Sequence, residues 1–169
     1  MSRSRKRDVT GALARAAAAA IAGRPRRPVL SQALWNLRHG RAQQMLAAAT
    51  TAAAVPLGLE VYVNHYGGSF GNKWMWSPIA LTPPLAAAGV AGVRSERAAH
   101  TWLPFFSGLL VLNGVAGTYF HGRGVARKPG GFGEASYNLV TGPPLLAPGS
   151  LSMIGGIGLV ASVMRREKW

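Results

Sequence analysis

The chain has 169 residues and a formal net charge of +14, yet only 14% of its residues are charged and 49% are hydrophobic. It contains no cysteine, which excludes disulfides, thiolate metal sites, cysteine-held iron–sulfur clusters and a cysteine nucleophile. Two long stretches are nearly free of charge: 42–93 carries only Glu60 and Lys73, and 98–164 only Arg123, Arg127, Lys128 and Glu134. That is the composition of a bilayer protein, since a soluble domain of this size needs a polar surface.

Residues 1–30 read as a basic, largely disordered or surface-lying tail. Gly11 to Ala22 favours a short helix, because Ala has the highest helix propensity, but the run is too short and too weakly apolar to span. Ten of the nineteen basic residues lie before position 42. Aromatics do not alternate with them as a single-strand binder requires, so specific nucleic-acid binding is not expected. Attraction to anionic lipid explains the same charge. Ser31 stands as the N-cap of an amphipathic turn from Gln32.

Residues 31–169 read as one membrane domain with spans over about 42–64, 77–93, 98–120 and 138–164. Pro56 is expected to bend the first. The second is short and carries Pro78, Pro83 and Pro84, so a helix either broken or packed inside the bundle is expected there. Tyr66 to Trp76 forms a glycine- and aromatic-rich loop, with Trp74 and Trp76 placed for a water–membrane boundary. Arg94 to Arg97 makes a tight turn. Gly122 to Tyr137 forms a second loop. Gly142-Pro143-Pro144 and Pro148 disturb the first half of the fourth span. Fifteen basic residues fall in the tails and the Arg94 turn, and four in the two opposite loops. The positive-inside rule then places both termini in the cytoplasm of a bacterial-type plasma membrane.

A pattern occurs twice. Tyr62-Val63-Asn64-His65, a Gly-Gly-Ser-Phe-Gly loop and Thr82-Pro83-Pro84-Leu85 with Gly89 are echoed by Tyr119-Phe120-His121, Gly130-Gly131-Phe132-Gly133 and Thr141-Gly142-Pro143-Pro144-Leu145 with Gly149. Arg41-Ala42 matches Arg97-Ala98, and the separation drifts from 56 through 60 to 70 residues. This reads as two duplicated helical hairpins sharing one topology, related by an axis along the membrane normal.

Chemistry, where present, is expected at the histidine end of the spans. Glu60 is the single acidic residue inside a predicted span, and intramembrane carboxylates are costly and often functional. With His65 and His121 it resembles a mixed nitrogen–oxygen metal site, and the two histidines alone resemble bis-histidine haem ligation. The cofactor classes implied are haem or a divalent transition metal. Asn64, Asn113, Tyr62, Tyr119 and Arg123 are the supporting polar set, with Arg123 a candidate partner for Glu60. Asn113 is read as a hydrogen-bonding link between helices. No phosphate loop, dinucleotide fingerprint or nucleophile motif is present. The leading expectation is a small subunit or anchor of a larger membrane complex or homo-oligomer. The alternative is a small transporter or channel component using proline-broken helices.

Overall fold

The computed structural model describes residues 41–166, together with Leu30, Ser31, Leu34 and Trp35. Those four are helical. Leu30 is itself in the helix, so Ser31 does not stand in front of it as an N-cap. The readings for residues 1–29 lie outside the described residues.

The elements in chain order are α1 (Ala42–Gly67), a 3-10 turn (Lys73–Met75), α2 (Trp76–Arg94), α3 (Glu96–His100), α4 (Trp102–Ala126), α5 (Ala135–Thr141) and α6 (Ala147–Val163). The described residues contain no strand. Two stretches are long and apolar enough to cross a membrane: the 26 residues of α1, and the 31 residues Glu96–Ala126, which take in α3, Thr101 and α4. Helix α6 is a shorter apolar helix of 17 residues.

The prolines act differently from what their number suggests. Helix α1 continues through Pro56. Helix α2 is unbroken across Pro83 and Pro84, which removes the broken alternative for the second span. Pro83 removes the N–H that would bond the Ile79 carbonyl. The Thr82 hydroxyl takes its place, donating to Ile79 O at 3.2 Å. The fourth expected span is instead two helices, α5 and α6, interrupted over 142–146. There Gly142 stands directly before Pro143, and Thr141 is one residue too early. Its hydroxyl donates to Tyr137 O at 2.9 Å and misses Leu139 O, which Pro143 leaves without a donor. Glycine adds its own helix penalty. Helix α4 runs on to Ala126, so Gly122 to Ala126 are helical rather than loop. Ser95 caps α3 by accepting from Ala98 N at 3.4 Å.

The helices pack in the cyclic order α1, α2, α4, α6, with α1–α2 and α4–α6 the most extensive pairs. The interior is built from small side chains and hydroxyls: Ala47, Ala54, Thr50 and Ser107 are fully buried beside Leu85, Leu103 and Leu110. Large apolar residues point outward instead, with Leu59 and Val63 on α1, Leu112 on α4 and Met153 on α6 each about two-thirds exposed. Only 28% and 22% of the most apolar windows of the two long stretches are covered by the chain itself.

Contacts within the two hairpins correspond position by position. On α1, Gln44, Thr51, Gly58 and His65 recur every seven residues; His100, at the end of α3, is followed at the same spacing by Ser107, Gly114 and His121 on α4. Gln44 Nε2 donates to Val93 O at 3.1 Å, and His100 Nδ1 lies 2.6 Å from Ser162 O. Thr51 packs on Gly89 and Ser107 on Gly158. Gly58 lies against Thr82 and Gly114 against Ser152. His65 lies beside the Met75 backbone, and His121 Nδ1 bonds Pro144 O at 2.8 Å. The residues met on α1 and on α3 and α4 differ by 56 positions, and those met on the second helices by 69 or 70. Under this register Pro83-Pro84 and Pro143-Pro144 are not counterparts. The second connection is longer by about thirteen residues, and α5 lies within that excess.

Candidate functional site

At the histidine end, α1 closes with His65, and the chain turns back at once. Ser69 N bonds Tyr66 O at 2.9 Å and Phe70 N bonds His65 O at 3.1 Å. Ser69 and Phe70 both adopt left-handed backbone angles, φ 55° and 47°, a conformation that costs a non-glycine residue about 1 kcal/mol. Aromatic packing offsets it. Phe70 stacks on Trp76 with centroids 4.1 Å apart and also meets Tyr62 at 5.8 Å and His65 at 6.4 Å. His65 Nδ1 is buried and has no hydrogen-bond partner among the described residues.

His121 lies within electrostatic range of His65. A carbonyl oxygen only accepts, so the His121–Pro144 bond fixes the proton on Nδ1 and leaves Nε2 as the acceptor of the neutral ring. That bond also ties the α5–α6 interruption to α4. The longer connection is built around Asn138, which is almost fully buried and donates to Pro129 O at 2.9 Å and Gly131 O at 2.8 Å. Lys128 Nζ caps the end of α5 through Thr141 O at 2.9 Å.

Glu60 does not join the histidines. It is exposed and makes no ion pair with His65, His121 or Arg123, which overturns the expected direct contact. Among the described residues no three of His, Asp and Glu gather closely enough to hold a metal ion. The physical reason lies in the helix: five residues turn about 140° on a straight helix, and α1 stays helical past His65 to Gly67. Arg123 and Asn64 are exposed. Tyr62 belongs to the aromatic cluster, and Tyr119 packs edge-on to Phe120 at 5.6 Å. Asn113 does link helices, donating to Ser77 Oγ at 2.7 Å and so joining α4 to α2. The chain matches no known family model, no curated protein and no solved structure, so its function rests on its own geometry.

The opposite end carries a polar lock that motif reading missed. The last carbonyls of a helix lack intrahelical donors. In α2, Ser95 N takes Ala91 O at 2.8 Å, Arg166 takes Gly92 O, and Gln44 takes Val93 O. Arg166 also donates to Oε1 of the fully buried Gln43, at 3.0 Å from Nε and 2.7 Å from Nη2. His100 serves α6 in the same way and lies 4.0 Å from Glu96. The signal available in the sequence was the constant 56-residue separation of Gln44 and His100, which matches that of His65 and His121.

Glu60 lines a different feature. An open groove of about 560 Å³ runs between α1 and α6, bounded by Ala53, Pro56, Leu57, Leu146, Ser150 and Ile154 among others.

Proposed function

We propose that the chain is an integral membrane protein of four embedded helical segments in two duplicated hairpins, and that it serves as a subunit or anchor of a larger membrane assembly. The observation that carries the membrane reading is the number of large apolar side chains that face outward along long apolar helices. Leu59, Val63, Leu112 and Met153 are each about two-thirds exposed, while alanines and hydroxyls share the interior with a few buried leucines. Water would penalise that arrangement, whereas lipid tails accept it and helix association there relies on close contact between small residues. The hairpin correspondence supports duplication, with α1 matching α4 and α2 matching α6. The charge count supports both termini on the cytoplasmic side.

The subunit role is favoured over transport by the filled centre. Leu85, Leu103, Leu110, Thr50 and Ser107 are fully or almost fully buried where a solute path would run. A metal or haem at the histidine end would rest on His65 and His121 alone.

The test uses the absence of native cysteine. The chain is expected to stay with carbonate-washed membranes. Ser69→Cys and Phe132→Cys are expected to react with an impermeant thiol reagent in intact cells, and Ser95→Cys only after permeabilisation. Release by carbonate, or labelling of Ser95→Cys alone, refutes the membrane reading or its orientation. Mild-detergent purification from native membranes is expected to retain stoichiometric partner chains. A lone chain that moves solute across liposomes refutes the subunit role.

A further inference from the structure

We propose that the α1–α6 groove is a binding site for a phospholipid whose headgroup ends in a primary ammonium, with Glu60 as the ammonium acceptor. This rests on the membrane reading above.

The two hairpins meet along two junctions, α2–α4 and α1–α6. Where the hairpin correspondence holds, Asn113 matches Leu57, and Ser77 matches the Leu146–Ala147 step. The first junction is closed by the Asn113–Ser77 hydrogen bond. At the second, the same positions are apolar and unbonded, and the gap stays open as the groove. Leu146, at its mouth, is 88% exposed.

The groove's polar character is all acceptor. Glu60 contributes a carboxylate. The Ser150 hydroxyl is engaged in donating to Ala147 O at 2.6 Å. Among the described residues, no Lys or Arg lines the groove. A carboxylate at the edge of a bilayer needs a cationic partner or loses its charge, and none of the described residues supplies one there. Glu60 stands two residues from Tyr62, in the turn where Tyr62, Tyr66 and Trp76 cluster. Such aromatic groups mark headgroup level. An occupant therefore places its ammonium at headgroup level and its acyl chain along Leu57, Ala53 and Ile154. A phosphatidylethanolamine-type lipid has this shape and charge.

The experiment places the full chain in nanodiscs of phosphatidylcholine containing equal phosphatidylethanolamine and phosphatidylglycerol, and reads retained lipid by native mass spectrometry. Phosphatidylethanolamine is expected to exceed phosphatidylglycerol about fivefold, the scale of a partly exposed ion pair. Glu60→Gln is expected to bring the two to parity. Ala53→Leu narrows the groove, keeps Glu60, and is expected to lower the preference as well. Ser77→Ala, at the closed junction, is expected to leave it unchanged. Circular dichroism checks that each variant keeps its helix content. Parity in the unaltered chain, or a preference that survives Glu60→Gln, overturns the site. Retention of added dodecylamine without phosphatidylethanolamine also overturns it, assigning the carboxylate to free amines. A chain that embeds in nanodiscs but shows no preference refutes this site alone, whereas failure to embed refutes the membrane reading beneath it.

Discussion

Gly114 offers the sharpest test of how the bundle is held together. A Cβ built there would meet the Ser152 hydroxyl, and would lie 2.6 Å from Pro148 O and 2.7 Å from Ser152 N. The last two are backbone atoms, so no rotamer change relieves them. Gly114→Ala forces α4 and α6 apart or shifts one along the other, at a cost of roughly 1–3 kcal/mol for overpacking. The gain in helix propensity, about 0.8–1 kcal/mol, offsets part of it, and the expected net loss is up to about 2 kcal/mol. Gly108 sits on the same helix with nothing within 4 Å of its built Cβ. Gly108→Ala therefore keeps only the propensity gain and is expected to be neutral or slightly stabilising. Gly58, the counterpart in the first hairpin, meets the Thr82 side chain rather than backbone. Thr82→Ala should accordingly relieve Gly58→Ala, while Ser152→Ala should leave most of the Gly114→Ala penalty in place. The assay is reversible unfolding in mixed micelles followed by helix dichroism, with the double-mutant coupling evaluated for each pair. Equal effects of Gly114→Ala and Gly108→Ala would refute the close-contact account of the α4–α6 interface.

Two further outcomes follow from buried polar groups. Arg166→Ala leaves the Gln43 carbonyl oxygen and Gly92 O without their donor and is expected to destabilise the bundle by about 1–3 kcal/mol, read in the same unfolding assay; Arg165→Ala, as control, should change it little. Asn138→Ala removes both bonds that hold the Pro129–Gly131 turn, and limited proteolysis should then cut between Arg127 and Glu134 faster than in the unaltered chain, with α1–α2 fragments unaffected.

The apolar helices and their hairpin order were legible in the sequence because charge is excluded from 42–93 and 98–164 so completely. Helix ends were less legible. α4 continues through Gly122 and Gly124, since a glycine lowers helix propensity without forbidding it, and Pro143 packs close to Gly124. Placing Glu60 with His65 and His121 required α1 to unwind at Asn64 or His65, and the helix runs on to Gly67. Asn113 was legible as a link, but its partner Ser77 was not, because pairing across α2 and α4 depends on helix rotation.

The proposed repeat shows where pattern and contact part company. The Thr-Pro-Pro echo drew the eye because those residue types are distinctive, yet its two copies do different work. In α2 threonine directly precedes the first proline, so its hydroxyl reaches the carbonyl that the proline orphans, and the helix continues. In the second copy one inserted glycine shifts threonine by a single position, the hydroxyl bonds the wrong carbonyl, and the helix stops. The contacts that match between the hairpins fall on Gln44, Thr51, Gly58 and His65 of α1 at seven-residue spacing, and on His100 of α3 with Ser107, Gly114 and His121 of α4. Those residues are individually unremarked, but they are the ones that face the partner helix, where every added atom is felt. In a bundle whose exterior is largely apolar, the interior contact positions rather than the conspicuous motifs carry the register of the helices.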